Sequence, residues 1–69
     1  MNFLYQITTS SYVYTLYEEE GHMFLHVLNL KTEESTDVFK IVKILDILNE
    51  DTEVSIYDFD EIEAILASD

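Results

Sequence analysis

Apolar residues follow a strand-like pattern over the first 30 residues of the chain. The segment 3–8 is rich in aromatic and β-branched residues, and the polar stretch 9–11 that follows can hydrogen-bond its own backbone in a turn. Apolar residues return over 12–30, where they are interrupted by three acids and Gly21, the only glycine, which enters the left-handed region freely. We therefore predict a first strand at 3–8 and a β-hairpin over 12–30 that turns at Gly21.

The spacing of apolar residues changes to a helical one after residue 37. The polar segment 31–37 holds several residues of the N-cap type, and its acids suit the dipole of a following helix, so the helix is predicted to start there. The β-branched content of 38–47 leaves a strand as a competing interpretation, but a run of this length favours a helix. Its apolar face is formed at intervals of three and four by Val38, Ile41, Val42, Leu45 and Leu48, and is widened by Phe39, Ile44 and Ile47.

The last part of the chain predicts a strand followed by a second helix. Residues 53–57 alternate polar and apolar side chains as a half-buried strand does. Asp58 with Glu61 three residues later matches the capping-box pattern, and helical spacing follows over 59–67. The predicted order is ββ-hairpin–α–β–α, an α+β fold in which two helices cover one face of a small, mostly antiparallel sheet. We expect a single domain over residues 1–69.

Charge changes this picture more than any motif does. The 69 residues include 15 acids and three lysines, which gives a formal net charge of −12, yet 48% of the residues are hydrophobic. That hydrophobicity excludes intrinsic disorder, which combines high charge with few apolar residues. A field of this sign repels nucleic acid and anionic membranes and attracts basic surfaces. We therefore expect a basic partner protein, with no direct binding of nucleic acid or membrane.

The start of the chain does not look like a targeting segment. Its first residues carry no basic side chain, and the apolar stretch that follows is interrupted by Gln6 and the polar stretch 9–11. The apolar stretches are shorter than the about 20 residues that a membrane span needs. The absence of cysteine does not fix the redox compartment, but it suits a cytosolic protein. We expect a cytoplasmic protein.

The residues that could carry chemistry form incomplete sets. His22 and His26 would share one face of a strand, but a metal site needs further ligands. Asp58 and Asp60 occupy the first and third positions of a calcium loop, whereas Glu63 stands where that loop needs glycine. Paired carboxylates can do acid–base catalysis only in a pocket that perturbs one of them and holds a substrate. We predict that the protein is not an enzyme and uses no cofactor or metal.

Acids and tyrosines are concentrated in different parts of the sequence. Residues 44–69 hold nine acids and no base, and three further acids form the predicted hairpin tip. The acids predicted to bind the partner are Glu18, Glu19, Glu20, Glu50, Asp51, Glu53, Asp58, Asp60, Glu61 and Glu63. On a strand Tyr12 and Tyr14 share a face opposite to Tyr17. One sheet face would meet the helices and the other would stay exposed, which predicts a surface for a homodimer or a partner. The alternative is that the tyrosines only rim the core, with their hydroxyls in water. The residues proposed for self-association are Tyr5, Tyr12, Tyr14 and Tyr17.

Two functions are compatible with these features. In acidity and length the chain resembles the small phage-encoded DNA-mimic proteins, such as inhibitors of uracil-DNA glycosylase and some anti-CRISPR proteins. That resemblance implies host takeover, in which the protein inhibits a basic nucleic-acid-binding or nucleic-acid-processing protein by placing carboxylates where phosphates bind. The competing hypothesis is a regulatory or accessory subunit that binds its partner through apolar surface, while its acidity serves solubility.

Overall fold

A computed structural model describes residues 1–68 of the chain. Its elements are β1 (Asn2–Thr8), β2 (Tyr12–Glu19), β3 (His22–Asn29), β4 (Ser35–Val38), α1 (Ile41–Glu50) and α2 (Ile56–Ala67). The strands form one antiparallel sheet in the order β1-β2-β3-β4. The predicted α+β class is confirmed, but the order of elements is ββββαα rather than ββ-hairpin–α–β–α.

The two predicted turns in the first half of the chain form as expected. The Thr9 hydroxyl oxygen accepts the backbone N–H groups of Ser11 and Tyr12 at 3.2 and 3.0 Å, which closes the turn between β1 and β2. Glu20 and Gly21 form the two-residue turn between β2 and β3 with φ values of 52° and 79°. Positive φ at both positions is the conformation that matches the twist of a two-residue hairpin. The first strand and the hairpin are therefore confirmed.

The segment predicted to start the first helix is partly a strand instead. Ser35–Val38 forms β4 and pairs with β3, with Val38 opposite Leu25. The outer edge of β3 offers backbone groups that need partners, and this pairing overrides the weak local preference of a polar segment for a helix start. Helix α1 begins only at Ile41, and the side chain of its N-cap residue Lys40 makes no capping hydrogen bond. The helix prediction is confirmed from Ile41 onward.

The strand predicted at residues 53–57 is wrong. These residues belong to the loop between the helices and to the first turn of α2, which begins at Ile56. Ser55 is the N-cap, and its hydroxyl accepts the backbone N–H of Asp58 at 3.1 Å, so Asp58 does not have the capping role that was predicted for it. An alternation of only five residues cannot distinguish a strand from a loop that leads into a helix.

The hydrophobic core lies between one face of the sheet and the two helices. The sheet contributes Ile7, Tyr14, Leu16 and Leu25, and the helices contribute Ile44, Leu48, Ile62 and Leu66. The helical spacing predicted over 59–67 agrees with the structure, because the buried residues of α2, Ile62 and Leu66, lie four positions apart. In α1 the buried residues are Ile44 and Leu48, whereas Val42, predicted on the core face, is 70% exposed. Ile41, predicted on the same face, is 50% exposed. The side of α1 that meets the sheet is thus formed by its buried residues together with the partly buried Leu45 and Ile47.

Both helices are short. Helix α1 has 10 residues and α2 has 12, compared with the about 20 that cross a bilayer. Neither helix within residues 1–68 has the length and apolarity of a membrane span.

Candidate protein-binding surfaces

The sheet has two faces with different environments. We call the face that packs against α1 and α2 the covered face, and the opposite one the open face. Strand pairing assigns residues to them: Tyr14 and Leu16 on β2 lie on the covered face, and the alternating residues Thr15 and Tyr17 lie on the open face. This alternation agrees with the prediction that Tyr12 and Tyr14 share a face opposite to Tyr17.

Four aromatic side chains cross the open face in one line, which we call the aromatic row (Phe3, Tyr17, Phe24 and Phe39). The rings of Phe3 and Tyr17 meet edge to face at 6.3 Å, and those of Tyr17 and Phe24 stack at 5.5 Å. The ring of Phe39, just after β4, lies 5.8 Å from that of Phe24. Phe24 is buried between its neighbours at 7% exposure, whereas Phe39 is 65% exposed. The row therefore combines a packed centre with an accessible end.

An irregularity in β1 brings Phe3 into this row. Phe3 pairs with Tyr17, but Tyr5 pairs with Leu16, so the register shifts at Leu4. In a regular strand Phe3 and Tyr5 would point to the same face, because side chains alternate with a period of two. A β-bulge changes this count by one residue. The bulge lets Phe3 lie on the open face while Tyr5 lies on the covered face.

Next to the aromatic row runs a row of polar residues. The Gln6 amide donates to the Thr15 hydroxyl at 3.1 Å, and His26 Nδ1 lies 2.7 Å from Asp37 Oδ1. His26 and Asp37 are paired residues on β3 and β4, so the strand register holds this contact. The aromatic and polar rows thus lie side by side on the open face, and Val13 and Leu28 follow on the far side of the polar row.

A cavity of about 380 Å³ opens at the end of the aromatic row, and we call it the aromatic cavity. Its lining includes the rings of Tyr17, Phe24 and Phe39 and the carboxylates of Glu19 and Asp37. Met1 and His26 complete the lining. Aromatic rings and acids thus meet in a single depression on the open face.

On the covered face, carboxylates connect the sheet to the segment that contains the second helix. The Tyr14 hydroxyl donates to Asp51 Oδ2 at 2.5 Å, and the Tyr5 hydroxyl donates to Asp58 Oδ1 at 2.6 Å. Ser10 donates to Glu53 through its backbone N–H at 3.1 Å and through its hydroxyl at 2.6 Å. Hydrogen bonds to an ionised acceptor are stronger than those between neutral groups. These three acids stabilise the chain's own fold.

The hydroxyl contacts change the acidity of two tyrosines. The hydrogen bond to Asp58, with further contributions from desolvation and nearby negative charge, raises the pKa of Tyr5 to about 12. Burial, together with the hydrogen bond to Asp51, raises the pKa of Tyr14 well above the ordinary phenol value. A phenolate next to a carboxylate would be repelled by it, so both phenols are held in the neutral, donating form.

A second cleft, of about 480 Å³, lies between the covered face and the loop that joins the helices. Tyr12 and Tyr14, whose rings stack at 5.6 Å, form one wall, and Glu50, Asp51 and Glu53 lie around it. Two of these acids already accept hydrogen bonds from Tyr14 and Ser10. Within residues 1–68, no group of three or more histidines and acids is arranged to hold a metal ion.

The predicted partner-binding acids therefore divide into two groups. Asp51, Glu53 and Asp58 accept the hydrogen bonds described above. The others are Glu18, Glu19 and Glu20 at the hairpin tip, Glu50 at the end of α1, and Asp60, Glu61 and Glu63 on α2. All of these are exposed except Glu18, which is half-buried. In the described part of the chain the single ion pair within 4 Å is His26–Asp37, so none of these carboxylates is neutralised by a lysine.

The four tyrosines proposed for self-association lie on two different faces of the sheet. Tyr5, Tyr12 and Tyr14 lie on the covered face, and Tyr14 is 3% exposed. Only Tyr17 lies on the open face, in the aromatic row. Sequence reasoning missed Phe3, Phe24 and Phe39 as its neighbours there. The sequence could have predicted that Tyr17 pairs with Phe24, because a two-residue turn at 20–21 places these residues opposite each other.

The histidines share the open-face side of β3, as predicted, but they have different surroundings. His26 pairs with Asp37, and His22 lies exposed beside the turn, opposite Glu19. Neither belongs to a set of ligands within residues 1–68. The site is therefore a pair of surfaces, one aromatic and acidic on the open face and one acidic on the helical side. Comparison with protein-family models, curated proteins and solved structures found no match to this chain.

Proposed function

We propose that this protein binds a basic, nucleic-acid-binding protein and inhibits it by presenting carboxylates in the place of DNA phosphates. The observation that carries the proposal is the lack of internal neutralisation. The net charge is −12, and within residues 1–68 no carboxylate lies within 4 Å of a lysine nitrogen. A field of this kind attracts a positively charged surface and speeds its association.

Helix α2 offers the densest exposed set of these acids. Asp60, Glu61 and Glu63 are all exposed, while Ile62 and Leu66 on the same helix are buried in the core. Residues three apart on a helix lie about 5–6 Å from each other. DNA presents about one charge per 3.4 Å along each strand. The spacing of acids on α2 is thus comparable to that of phosphates, which supports mimicry over simple solubility.

The test is capture from a bacterial lysate, followed by salt and DNA competition. Mimicry predicts that the captured basic protein is released steeply with added salt and by competing duplex DNA. Replacing Asp60, Glu61 and Glu63 by Asn, Gln and Gln should weaken capture without unfolding the domain. Asp58 is left unchanged because it accepts the Tyr5 hydroxyl, so its neutralisation would also affect folding.

A matched control removes the same charge elsewhere. Glu33, Glu34 and Asp46 are exposed and lie outside the proposed set. If their neutralisation weakens capture as much as that of the α2 acids, net charge alone is responsible and the α2 surface is not the site. A complex that survives high salt and ignores competing DNA would exclude mimicry.

The aromatic row favours a second candidate, an accessory subunit that binds through the open face. Monomeric proteins seldom leave a large apolar patch exposed without a binding role. Phe3 and Phe39 at the two ends of the row are both exposed. In this case complex formation should be nearly independent of salt and should be lost on changing Phe39 rather than the acids of α2.

A further inference from the structure

We propose that the aromatic cavity on the open face binds an arginine side chain of the partner. This proposal adds a recognition site to the proposed function and rests on it only for the premise that the partner is basic. The cavity has the two components that a guanidinium needs, ring faces to stack on and carboxylates to accept its N–H groups. Phe39 and Tyr17 supply the accessible ring surface, and Phe24, which is 7% exposed, packs between them and holds them in place. Glu19 and Asp37 supply the carboxylates.

The arrangement of the rings suits a planar cation. Tyr17 and Phe24 stack at an interplanar angle of 25°, and Phe39 inclines to Phe24 at 40°. Phe24 is held in place by its two neighbours, so the row is organised before a ligand arrives. Phe39 is 65% exposed, which leaves ring surface free for stacking. Arginine stacks on aromatic faces and pairs with carboxylates in a way that lysine, a compact hydrated charge, does not.

The carboxylates lie where they can accept from such a group. Glu19 is exposed at the end of β2, and Asp37 lies on the edge strand β4. His26 contacts Asp37 through Oδ1 at 2.7 Å. Asp37 Oδ2 accepts no hydrogen bond within the described residues, and the Asp37 side chain is 45% exposed, so this oxygen is available to a ligand.

Three kinds of ligand could cover an aromatic face: a second copy of the chain, single-stranded nucleic acid, or a cationic side chain. The charge around the cavity distinguishes them. A second copy would bring another charge of −12, with its own Glu19 and Asp37, onto the same face. Single-stranded nucleic acid stacks on aromatic platforms but needs a positive groove around them. The acids in the lining oppose both, whereas they attract a cationic side chain.

The experiment is an NMR titration with three tripeptides, acetyl-Gly-Arg-Gly-amide, the lysine equivalent and the glutamine equivalent. With the arginine peptide we expect saturable chemical-shift changes at Tyr17, Phe24 and Phe39 that give a millimolar dissociation constant. The lysine and glutamine peptides should bind more weakly. Equal binding of all three, no binding, or shifts confined to α2 would overturn the proposal. Shifts in the row that depend on protein concentration without peptide would instead assign the face to a second copy.

Two pairs of variants test whether the arginine peptide binds in the aromatic cavity. Phe39→Leu keeps apolar bulk but removes the ring, so it should weaken binding of the arginine peptide about two- to fivefold. The control is Tyr57→Leu on α2, where the ring is 70% exposed, and it should leave this binding unchanged. E19Q/D37N should weaken binding of the arginine peptide about two- to tenfold. Its control, D60N/E63Q, changes the charge by the same amount outside the cavity and should weaken binding less. Unchanged affinity in both cavity variants would contradict the proposal.

These outcomes separate the cavity from the proposed function. The tripeptide titration concerns the cavity alone, and lysate capture concerns the basic partner. If the α2 variant loses its partner while the cavity variants bind it normally and the tripeptide does not bind, mimicry stands and the cavity proposal fails. If the tripeptide binds in the cavity and the captured complex ignores DNA, the cavity proposal stands and mimicry fails.

Discussion

The two faces of the sheet use the same kinds of residue in opposite ways. On the covered face Tyr5 and Tyr14 donate to Asp58 and Asp51, and these phenol–carboxylate pairs tie the sheet to the helical segment. On the open face Tyr17 stacks with other rings, and the nearby Glu19 accepts no hydrogen bond within the described residues. Tyrosine and acid stabilise the fold where they touch each other, and where they do not, on the open face, they make up the surface that we propose for binding.

The largest difference between the faces should appear in their contribution to stability. Leu25 on the covered face is fully buried, and Leu25→Ala should lower the free energy of unfolding by about 2–5 kcal/mol because it leaves a cavity in the core. Phe39→Ala on the open face should cost less than about 1 kcal/mol, since its ring is largely exposed. Urea denaturation measures both, and similar losses would contradict the division into a structural face and a binding face.

The phenol–carboxylate pairs should be the next largest contribution. Tyr14→Phe removes the donor to Asp51 and should lower the free energy of unfolding by about 1.5–3 kcal/mol, because this acceptor is charged. The matched control is Tyr57→Phe, at an exposed position, which should change stability by less than about 0.5 kcal/mol. Equal stability of the two variants would show that the covered face does not depend on this contact.

Alkaline pH should weaken the covered face selectively. The pKa of Tyr5 is raised to about 12 in the folded protein, whereas an unfolded phenol ionises at about 10. A raised folded-state pKa contributes stability that is fully present below about pH 10 and is lost as the pH rises through about 12. Denaturation midpoints across this range should fall less in Tyr5→Phe than in the unchanged protein. An identical fall would remove Tyr5 from the explanation.

The smallest expected effect is that of salt on the isolated protein. Unpaired carboxylates repel each other, and screening should raise the thermal midpoint by about 4–8 °C for each 1 kcal/mol recovered in a domain of this size. Differential scanning calorimetry in a salt series measures it. A midpoint that falls instead would mean that attraction between opposite charges outweighs the repulsion between the exposed acids.

Some elements could be predicted and others could not, for reasons visible in particular residues. The hairpin follows from local chemistry, since Gly21 suits the positive φ that its turn requires. The β4 strand depends on the free edge of β3, which no local pattern in residues 35–38 reveals. Residues 53–57 form no strand, and their contacts explain why. Ser55 caps α2, and the preceding loop is held by hydrogen bonds that Asp51 and Glu53 accept from Tyr14 and Ser10.

The candidate sites show the same division. The exposure of the acids on α2 follows from the helical spacing of Ile62 and Leu66, which places the acids on the other side. The roles of Asp51, Glu53 and Asp58 depend on contacts between residues more than 35 positions apart in the sequence, and no spacing rule gives these contacts. The aromatic row depends on the bulge at Leu4 and on the placement of Phe39 after β4.

By itself the sequence determined that the chain is a folded α+β protein with an unneutralised negative field, because composition and local periodicity follow directly from residue types. Only the tertiary structure decided which acids stay exposed and which accept hydrogen bonds that hold the helical segment to the sheet. It also decided which aromatic residues are buried and which line the aromatic cavity. The physical reason is that strand register and hydrogen bonds between distant residues, rather than local preference, assign each side chain to a face.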